Sequence, residues 1–423
     1  MSDSKQFAPL GIENLRVFIT AYDGIQIDIT QNVSNISIYE SIFSRFLFGD
    51  LLISDNSGML SSLPFLGQEK LLIRWEREEE EYEREFFTTG IESVIPEINT
   101  RGRYKVKFTS ESQMLNSTNI FSKSYTLSSD QIIQNICSEY LNTDLLIDAR
   151  GDSTYNIVFP FIKPYQAINQ ILQKNLSEDQ TPLFLFDRFY ETDNPVILTS
   201  YQKMFDQEPI LKMFPMKSIN SFNNERNEIE LYQVYRYNIL KTFKTLDQIS
   251  SGAFSSIERK IDISNKSNAD DQSFYFKEDS VEIGNEWIKD GFEFDKSVSN
   301  RMYLIEDSFA FDNGFRNIHS TSDLSSSIIK SFMARIDSTT IQAEINPIAY
   351  TIEDDIPFTV GKTVDFSVPL FMPITEDIKY EELKNKLLSG KYLITSIHHQ
   401  IEGKQYRMVI ELSRDFIGEE ATL

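Results

Sequence analysis

Apolar and polar positions alternate with a period of two near both ends of the chain. In the middle they follow a helical period. The cleanest alternation is at 364–368, with Val364, Phe366 and Val368 on one face and Asp365 and Ser367 on the other. That is the pattern of a half-buried strand. It closes the stretch IPFTVGKTVDFSV (356–368), which has a near-copy in LPFLGQEKLLIRW (63–75). Each reads as an apolar residue, Pro-Phe, a Gly after one or two intervening residues, and a strand-like run. Similar elements follow both copies. After the first come IESV (91–94), a turn at NTRG (99–102) and a strand from Tyr104. After the second come ITSI (394–397), a turn around EGK (402–404) and a strand from Tyr406. Gly67 to Tyr104 is 37 positions and Gly361 to Tyr406 is 45. The surplus fits into 371–390, a polar insert with room for a short helix. Short strands joined by hairpin turns predict a small antiparallel barrel or sandwich. The repeat predicts that this unit occurs twice.

Between the copies the period changes. In SSDQIIQNICSEYL, from Ser128, the residues Ile132, Ile133, Ile136, Cys137, Tyr140 and Leu141 share one helical face. Ser128 with Gln131 makes a capping box, and Leu127 with Ile132 a hydrophobic staple. A second helix starts at Pro164, a favourable first-turn position, and buries Ala167, Ile168, Ile171, Leu172 and Leu176. PLFLFDRFYE and VILTSY then flank Thr192-Asp193-Asn194-Pro195, a hairpin turn. Residues 111–217 therefore read as a separate α/β module. Strand-like and mixed patterning returns over 225–263. Residues 264–324, rich in Asn, Ser and Asp, read as a loop-rich insertion with little core of its own. A further helix is expected at 323–334, and 416–423 reads as a tail.

Composition narrows the function classes. A length of 423 residues accommodates two to four domains. Only 11 Ala against 32 Phe and 19 Tyr tilts the balance towards strands. The net charge of −23 argues against nucleic acid or an anionic membrane as the main partner. No apolar run approaches the ~18 residues of a membrane span, and the start carries no basic-then-apolar leader. A single cysteine, Cys137, excludes a disulfide framework and a Cys-based zinc site. On its apolar helix face it reads as a buried core thiol.

Candidate chemistry is thin. Gly361-Lys362-Thr363 lacks the Gly that a phosphate loop needs five positions earlier, where Ile356 stands. His398 and His399 are adjacent on a strand, so they point to opposite faces and cannot share an ion. Asp354-Asp355 and Asp270-Asp271 are adjacent pairs in polar loops, without the opposed geometry of a glycosidase. Trp75 and Trp287 are too far apart in sequence to suggest a glycan platform. The run EREEEEYERE (76–85) joins two strands and carries Glu76, Glu78, Glu79, Glu80, Glu81, Glu83 and Glu85. It reads either as a solvated hairpin tip or as an acidic finger that docks on a basic partner or lines an acidic channel.

With the repeat in place, the sequence resembles the baseplate hub subunit of contractile phage tails, in the T-even-like myoviruses. The resemblance rests on FLFGDLLISDNSGMLSSLPFLGQEKLLIRW (46–75), FPFIKPYQAINQIL (159–172), LDQISSGAFSSIERKIDISNKS (246–267), and FTVGKTVDFSVP with SGKYLITSIHHQIEGKQYRMVIELSRD near the end. It implies a β-rich α+β fold: two similar tube-like antiparallel β-barrels, an α/β module between them and a loop-rich insertion. The expected division is 1–110 for the first barrel and 111–217 for the α/β module. The second barrel is split into 218–263 and 325–415 around an inserted 264–324, with a tail at 416–423. The expected barrel-defining residues are Pro64, Phe65, Gly67 and Tyr104, and Pro357, Phe358, Gly361 and Tyr406. Pro and Gly fix the turn that launches each strand, and Phe and Tyr fill the barrel.

The resemblance further implies a homotrimer whose six barrels form a pseudo-sixfold ring. Such a ring adapts the sixfold tail tube to a threefold central spike. The implied partners are the spike, tail-tube or tube-initiator proteins, the tape-measure protein and wedge proteins, with genomic DNA only as passing cargo and no membrane insertion. The implied location is the virion tail baseplate, assembled in the host cytoplasm. No catalytic residue, metal or cofactor is expected. The acidic balance suits a lumen that repels DNA. The competing readings are a hub of a bacterial contractile injection system or tailocin, and a tail-associated glycan-binding or wall-hydrolysing protein.

Overall fold

The computed structural model describes residues 13–21, 24–55, 66–77, 80–96, 102–151, 154–193, 195–215, 233–242, 244–262, 267–268, 272–275, 300–306, 316–317, 324–351, 355–369, 385–402 and 405–415. In chain order the first strands are β1 (Glu13–Thr20), β2 (Gln26–Asp28), β3 (Val33–Ser41), β4 (Phe48–Asp55), β5 (Lys70–Arg77), β6 (Glu80–Pro96) and β7 (Gly102–Thr109). Helix α1 (Glu111–Thr118), β8 (Phe121–Ser128), α2 (Ser129–Tyr140), β9 (Leu145–Ile147), β10 (Thr154–Ile162) and α3 (Pro164–Leu172) follow. Next come β11 (Leu183–Asp187), β12 (Val196–Ser200), α4 (Tyr201–Asp206), β13 (Lys212–Pro215), β14 (Gln233–Thr242) and α5 (Thr245–Ser251). The remainder is β15 (Ser255–Asp262), β16 (Ser267–Asn268), β17 (Gln272–Tyr275), β18 (Asn300–Glu306), β19 (Arg316–Asn317), α6 (Ser325–Arg335), β20 (Thr339–Ile345), β21 (Thr363–Phe366), β22 (Gly390–Glu402) and β23 (Gln405–Arg414). The fold is β-rich α+β, with a dominant 13-stranded sheet.

That sheet contains the same strand order twice. The first set runs β1-β5-β6-β7-β4-β3, and the second β13-β21-β22-β23-β20-β14. In each set the chain visits the positions in the same sequence, so β5, β6 and β7 correspond to β21, β22 and β23. The second set closes on itself, because β13 pairs with both β21 and β14. The first set curls back through β2, which pairs with β1 and is separated from β3 by residues 29–32. The Ile29 N–H donates to the Val17 carbonyl of β1 at 2.9 Å, extending the β1–β2 pairing by one residue. One difference is direction: β1 meets β5 antiparallel, whereas β13 meets β21 parallel. Irregularities recur in register. β6 shifts against β7 between Thr88 and Gly90, and β22 against β23 between Ile394 and Ser396. Aligned on these shifts, Phe108, Val106 and Tyr104 correspond to Leu412, Ile410 and Met408, all buried.

Residues between the sets, joined by β19 from the later segment 264–324, form smaller sheets, β19-β10-β8 and β11-β12-β9, with helices packed on them. Helix α2 begins with both arms of the capping box on Ser128 and Gln131 and buries Ile132, Ile133, Ile136 and Cys137. Burial pushes the Cys137 thiol up to about 12, as befits an inert core sulfur. Helix α3 carries Pro164 in its first turn and buries Ala167, Ile168, Ile171 and Leu172 in the same cluster. Leu176 lies beyond the helix end and joins the core of the second strand set instead. Helix α6 covers Ser325–Arg335, close to the expected 323–334, and joins that same core through Ile328, Ile329 and Phe332.

Four expectations are corrected. From 218–263, β14 enters the second strand set, but β15 does not; it forms a separate sheet with β16, β17 and β18. The segment 264–324 thus supplies strands to a sheet, as the short β16 ladder and the full-length β18 ladder onto β15 show. The sixth strand of the second set is β13, from within 111–217. Strand β11 ends at Asp187, so Arg188–Glu191 leave the sheet where the apolar run PLFLFDRFYE had suggested that they continue it. The insert 371–384, the turn 99–101, Trp287 and the tail 416–423 lie outside the described residues.

The two launching glycines share a backbone state that a side chain resists, φ +82° at Gly67 and +81° at Gly361. They differ in surroundings. A Cβ on Gly361 would meet the Phe186 ring at 2.6 Å, whereas one on Gly67 would meet nothing closer than the Thr89 carbonyl oxygen at 3.4 Å. Gly361→Ala should therefore cost about 3 kcal/mol, and Gly67→Ala about 1 kcal/mol. Urea unfolding of the two variants checks this order; equal losses would contradict it.

Candidate functional site: the junction of the two strand sets

The two strand sets are joined by β3 and β22. They pair antiparallel from Ser396↔Ser41 to Glu402↔Asn35, without a break in register. Alternation places Ile36, Ile38 and Glu40 of β3 on the buried side. Opposite and beside them, β22 buries Ile397 and His399. His399 and His398 indeed face opposite ways. His399 is fully buried, while His398 stacks on Tyr39 at 4.3 Å between centroids.

Glu40 and His399 form the polar centre of this junction. The His399 Nε2 lies 2.8 Å from Glu40 Oε1, and the Thr359 hydroxyl donates to Glu40 Oε2 at 2.7 Å. The Val360 N–H reaches the same oxygen at 3.4 Å. On its other side His399 Nδ1 lies 2.6 Å from the Tyr406 hydroxyl, which lies 2.5 Å from the Tyr190 hydroxyl. A carboxylate can only accept, so the Nε2–H donates to Glu40. A neutral ring then accepts at Nδ1 from Tyr406, which accepts from Tyr190. Each polar side-chain atom of this network has a partner, which a buried network requires. Burial pushes the Tyr190 and Tyr406 hydroxyls well above their ordinary range, so both stay protonated.

The third contributor is the Asp187–Glu191 segment, which crosses from the α/β module into the junction. Phe189 and Tyr190 complete the core of the first strand set, together with Ala349 and Tyr350 from the second half of the chain. Trp75 packs against both, at 5.4 Å from Phe189 and 6.0 Å from Tyr190. Trp75 is fully buried and so offers no platform to a glycan. At the rim of the same segment, Arg84 of β6 pairs with Asp187 at 2.7 Å and donates to the Glu191 carbonyl at 3.2 Å. Ser110 donates to the other Asp187 oxygen at 2.9 Å.

The sequence-derived positions fall as follows. Pro64 and Phe65 lie outside the described residues. The Gly67 turn is held by Glu69, whose carboxylate accepts from the N–H groups of Gly67 and Gln68 and from the Thr88 hydroxyl. Pro357 bridges Tyr350, and Phe358 is fully buried in the second core. Tyr104 is buried in the first core, but its register partner in the second set is Met408. Tyr406 instead stands nearer the turn, inside the Glu40–His399 network. Phe358 and Tyr406 thus flank the junction, through neighbouring Thr359 and directly, while Tyr104 does not reach it.

The acidic run is largely strand, not a loop tip. β5 and β6 pair from Lys70↔Phe87 to Arg77↔Glu80, and Glu78 and Glu79 lie outside the described residues. Glu81, Glu83 and Glu85 share the exposed face of β6. Arg74 answers Glu81 at 3.1 Å and Glu83 at 3.0 Å, and Lys70 answers Glu85 at 2.6 Å. Asn14 donates to Glu76 at 2.6 Å, and Tyr82 donates to Glu80 at 3.1 Å. Exposed pairs of this kind contribute about 0–1 kcal/mol each. Glu40, Tyr190 and Asp187 were not singled out from the sequence. Their one sequence signal is a carboxylate on the apolar face of a strand, in ISIYES.

No protein-family model and no curated protein sequence matches the chain. Its fold does match solved structures. The tail protein from Neisseria meningitidis MC58 superposes with a TM-score of 0.55 at 9% identity, over 95% of this chain and 97% of that one. The 43 kDa tail protein of prophage MuSo2 from Shewanella oneidensis superposes with a TM-score of 0.53 at 9% identity, over 95% and 98%. The chain therefore has the fold of phage tail proteins along almost its whole length.

Two outcomes follow. His399→Ala leaves Glu40 buried without its principal partner and should cost about 3–5 kcal/mol in urea unfolding; a loss under ~1 kcal/mol would show that the network does not hold the junction. The second concerns Asp415, where burial outweighs Arg335 at 3.6 Å and pushes the carboxyl up from 3.8 to about 6. The folded state then binds this proton more tightly than the unfolded chain. The contribution of Asp415 is present at low pH and is lost as pH rises through that window. Relative to Asp415→Asn, the wild type should lose up to ~3 kcal/mol between about pH 4 and pH 7; a pH-independent difference would contradict it.

Proposed function

We propose that this chain is a structural baseplate hub protein of a contractile phage tail. In this reading each strand set is a tube-like barrel, spanning roughly 1–110 and, with β13, the strands of 218–263 and 325–415 that join it. Three copies form a pseudo-sixfold ring that adapts the sixfold tail tube to the threefold central spike and lets DNA pass. The observation that carries this reading is the repeated strand order, β1-β5-β6-β7-β4-β3 and β13-β21-β22-β23-β20-β14, within one chain. A homotrimer cannot present six near-equivalent surfaces unless each chain holds two copies of the unit. The junction at Glu40 and His399 fixes the angle between the two units, which a ring needs to be constant. The exposed acids of β6 and the net charge of −23 suit a lumen or docking face that repels a DNA backbone. The fold shared with two tail proteins supports the setting. The chemistry proposed is assembly, without a catalytic step.

Mass photometry of the purified chain, with negative-stain class averages, tests the proposal. Particles of three times 49.1 kDa, ring-shaped with six lobes around a hole, are expected. Monomers at every concentration would contradict it.

A further inference from the structure

The internal repeat leaves two strand edges without the partner that their counterparts have. Strand β3 shifts register against β4 between Val33 and Asn35, and β14 shifts against β20 between Val234 and Arg236. Beyond that shift β3 gives its other edge to β22, over Asn35–Ser41. Beyond the same shift β14 has outrun β13, which pairs with it only at Gln233 and Val234. Among the described residues no strand pairs with that edge over Tyr235–Thr242.

The complementary edge shows the same contrast. β21 covers β22 as far as Leu393, and past the register shift at Ile394/Ser396 that edge of β22 holds β3. β5 covers β6 as far as Phe87, and the Glu69 carbonyl takes the Thr88 N–H. Past the shift at Thr88/Gly90, β6 pairs with β7 alone over Gly90–Pro96 among the described residues. The chain thus owns one completed joint, β3 on β22, and the two halves of a second.

We infer that β14 of one copy pairs antiparallel with the Gly90–Pro96 edge of β6 in the next copy, repeating between chains the β3–β22 joint within each chain. The inference rests on the hub reading for the number of copies, but the edges themselves come from the pairing pattern. Two different edges on one chain make a head-to-tail contact, which closes into a ring when the rotation allows. The edge needs a cover. A long open strand edge invites unwanted pairing, and β14 also leaves Tyr235 and Leu240 48% and 47% exposed. Aligned on the shared register shifts, Arg236–Thr242 runs against Gly90–Pro96, and each of these edges carries one further shift, at Ile239/Lys241 and at Glu92/Ile95, where β3 and β22 pair without a break. The two joints differ in their interior. The fully buried pair of Glu40 and His399 ties the inner joint, whereas Lys241 near the corresponding end of β14 pairs within its own copy with Asp337. In this proposal the joint between copies is a ladder of backbone hydrogen bonds, suited to form after each chain has folded.

The test uses the full chain carrying Asn238→Cys and Glu92→Cys, both at exposed positions. The native Cys137 is buried and does not compete. A bismaleimide of ~10 Å reach spans neighbouring strands and a small offset along them. The expected result is a ladder on a denaturing gel that ends at three linked chains, with neither single-cysteine variant forming one alone. Circular dichroism unchanged from wild type shows that the variant is folded. Trimers by mass photometry without linked chains would overturn this joint and leave the ring. Monomers without linked chains would overturn both.

Discussion

A carboxylate buried among apolar side chains must be answered, and the rest of this molecule is arranged around the answer to Glu40. Its partners come from distant parts of the chain: His399 from β22, Thr359 from the loop before β21, and, through Tyr406, Tyr190 from the α/β module. Leaving such a charge unpaired costs several kcal/mol, more than a single strand pairing returns. The network is therefore satisfied only when both strand sets and the Asp187–Glu191 segment are in place together. Apolar packing enforces the same condition. The core of the first set is incomplete without Phe189, Tyr190, Ala349 and Tyr350, none of which belongs to its own stretch of chain. The strand sets look separable in topology, yet the core of the first set is closed by residues from the α/β module and from the second half of the chain.

This coupling gives the repeat its mechanical meaning. Two copies of a unit on a flexible tether would present two surfaces at variable angles. Here β3 and β22 join the copies by a continuous ladder, backed by a buried polar network and sealed by an aromatic plug. A chain built this way holds its two strand sets at a fixed angle. The fold is shared with phage tail proteins at only 9% identity. What is shared is the overall fold, and side chains that fill such cores can be exchanged when volume and patterning are kept.

Local features were legible in the sequence, and long-range ones were not. Helix α2 could be read from Ser128, Gln131 and four apolar residues because its cap and its buried face lie within one short stretch. Gly67 and Gly361 could be read because a positive φ before a strand selects glycine whatever the tertiary surroundings. The Tyr104–Tyr406 match was a coincidence of spacing, since the register shift in each hairpin aligns Tyr104 with Met408. The sequence overstates the length of β11 because Phe189 and Tyr190 are apolar for a different reason: they plug another core. The acidic run looked like a loop because its charge masks an alternating strand in which Tyr82, Arg84 and Phe86 turn inward. Glu40 and His399 are separated by 359 positions, and no local pattern can announce such a pair.

Native-state hydrogen exchange on the purified chain tests most directly whether the two strand sets unfold as one cooperative unit. If they do, amides of β3, β22 and β7 exchange only through global unfolding, with one common free energy and one common denaturant dependence. An opening that releases the amides of β4–β7 while β20–β23 stay protected would contradict that account, because it would show two independent units that merely touch at Glu40 and His399.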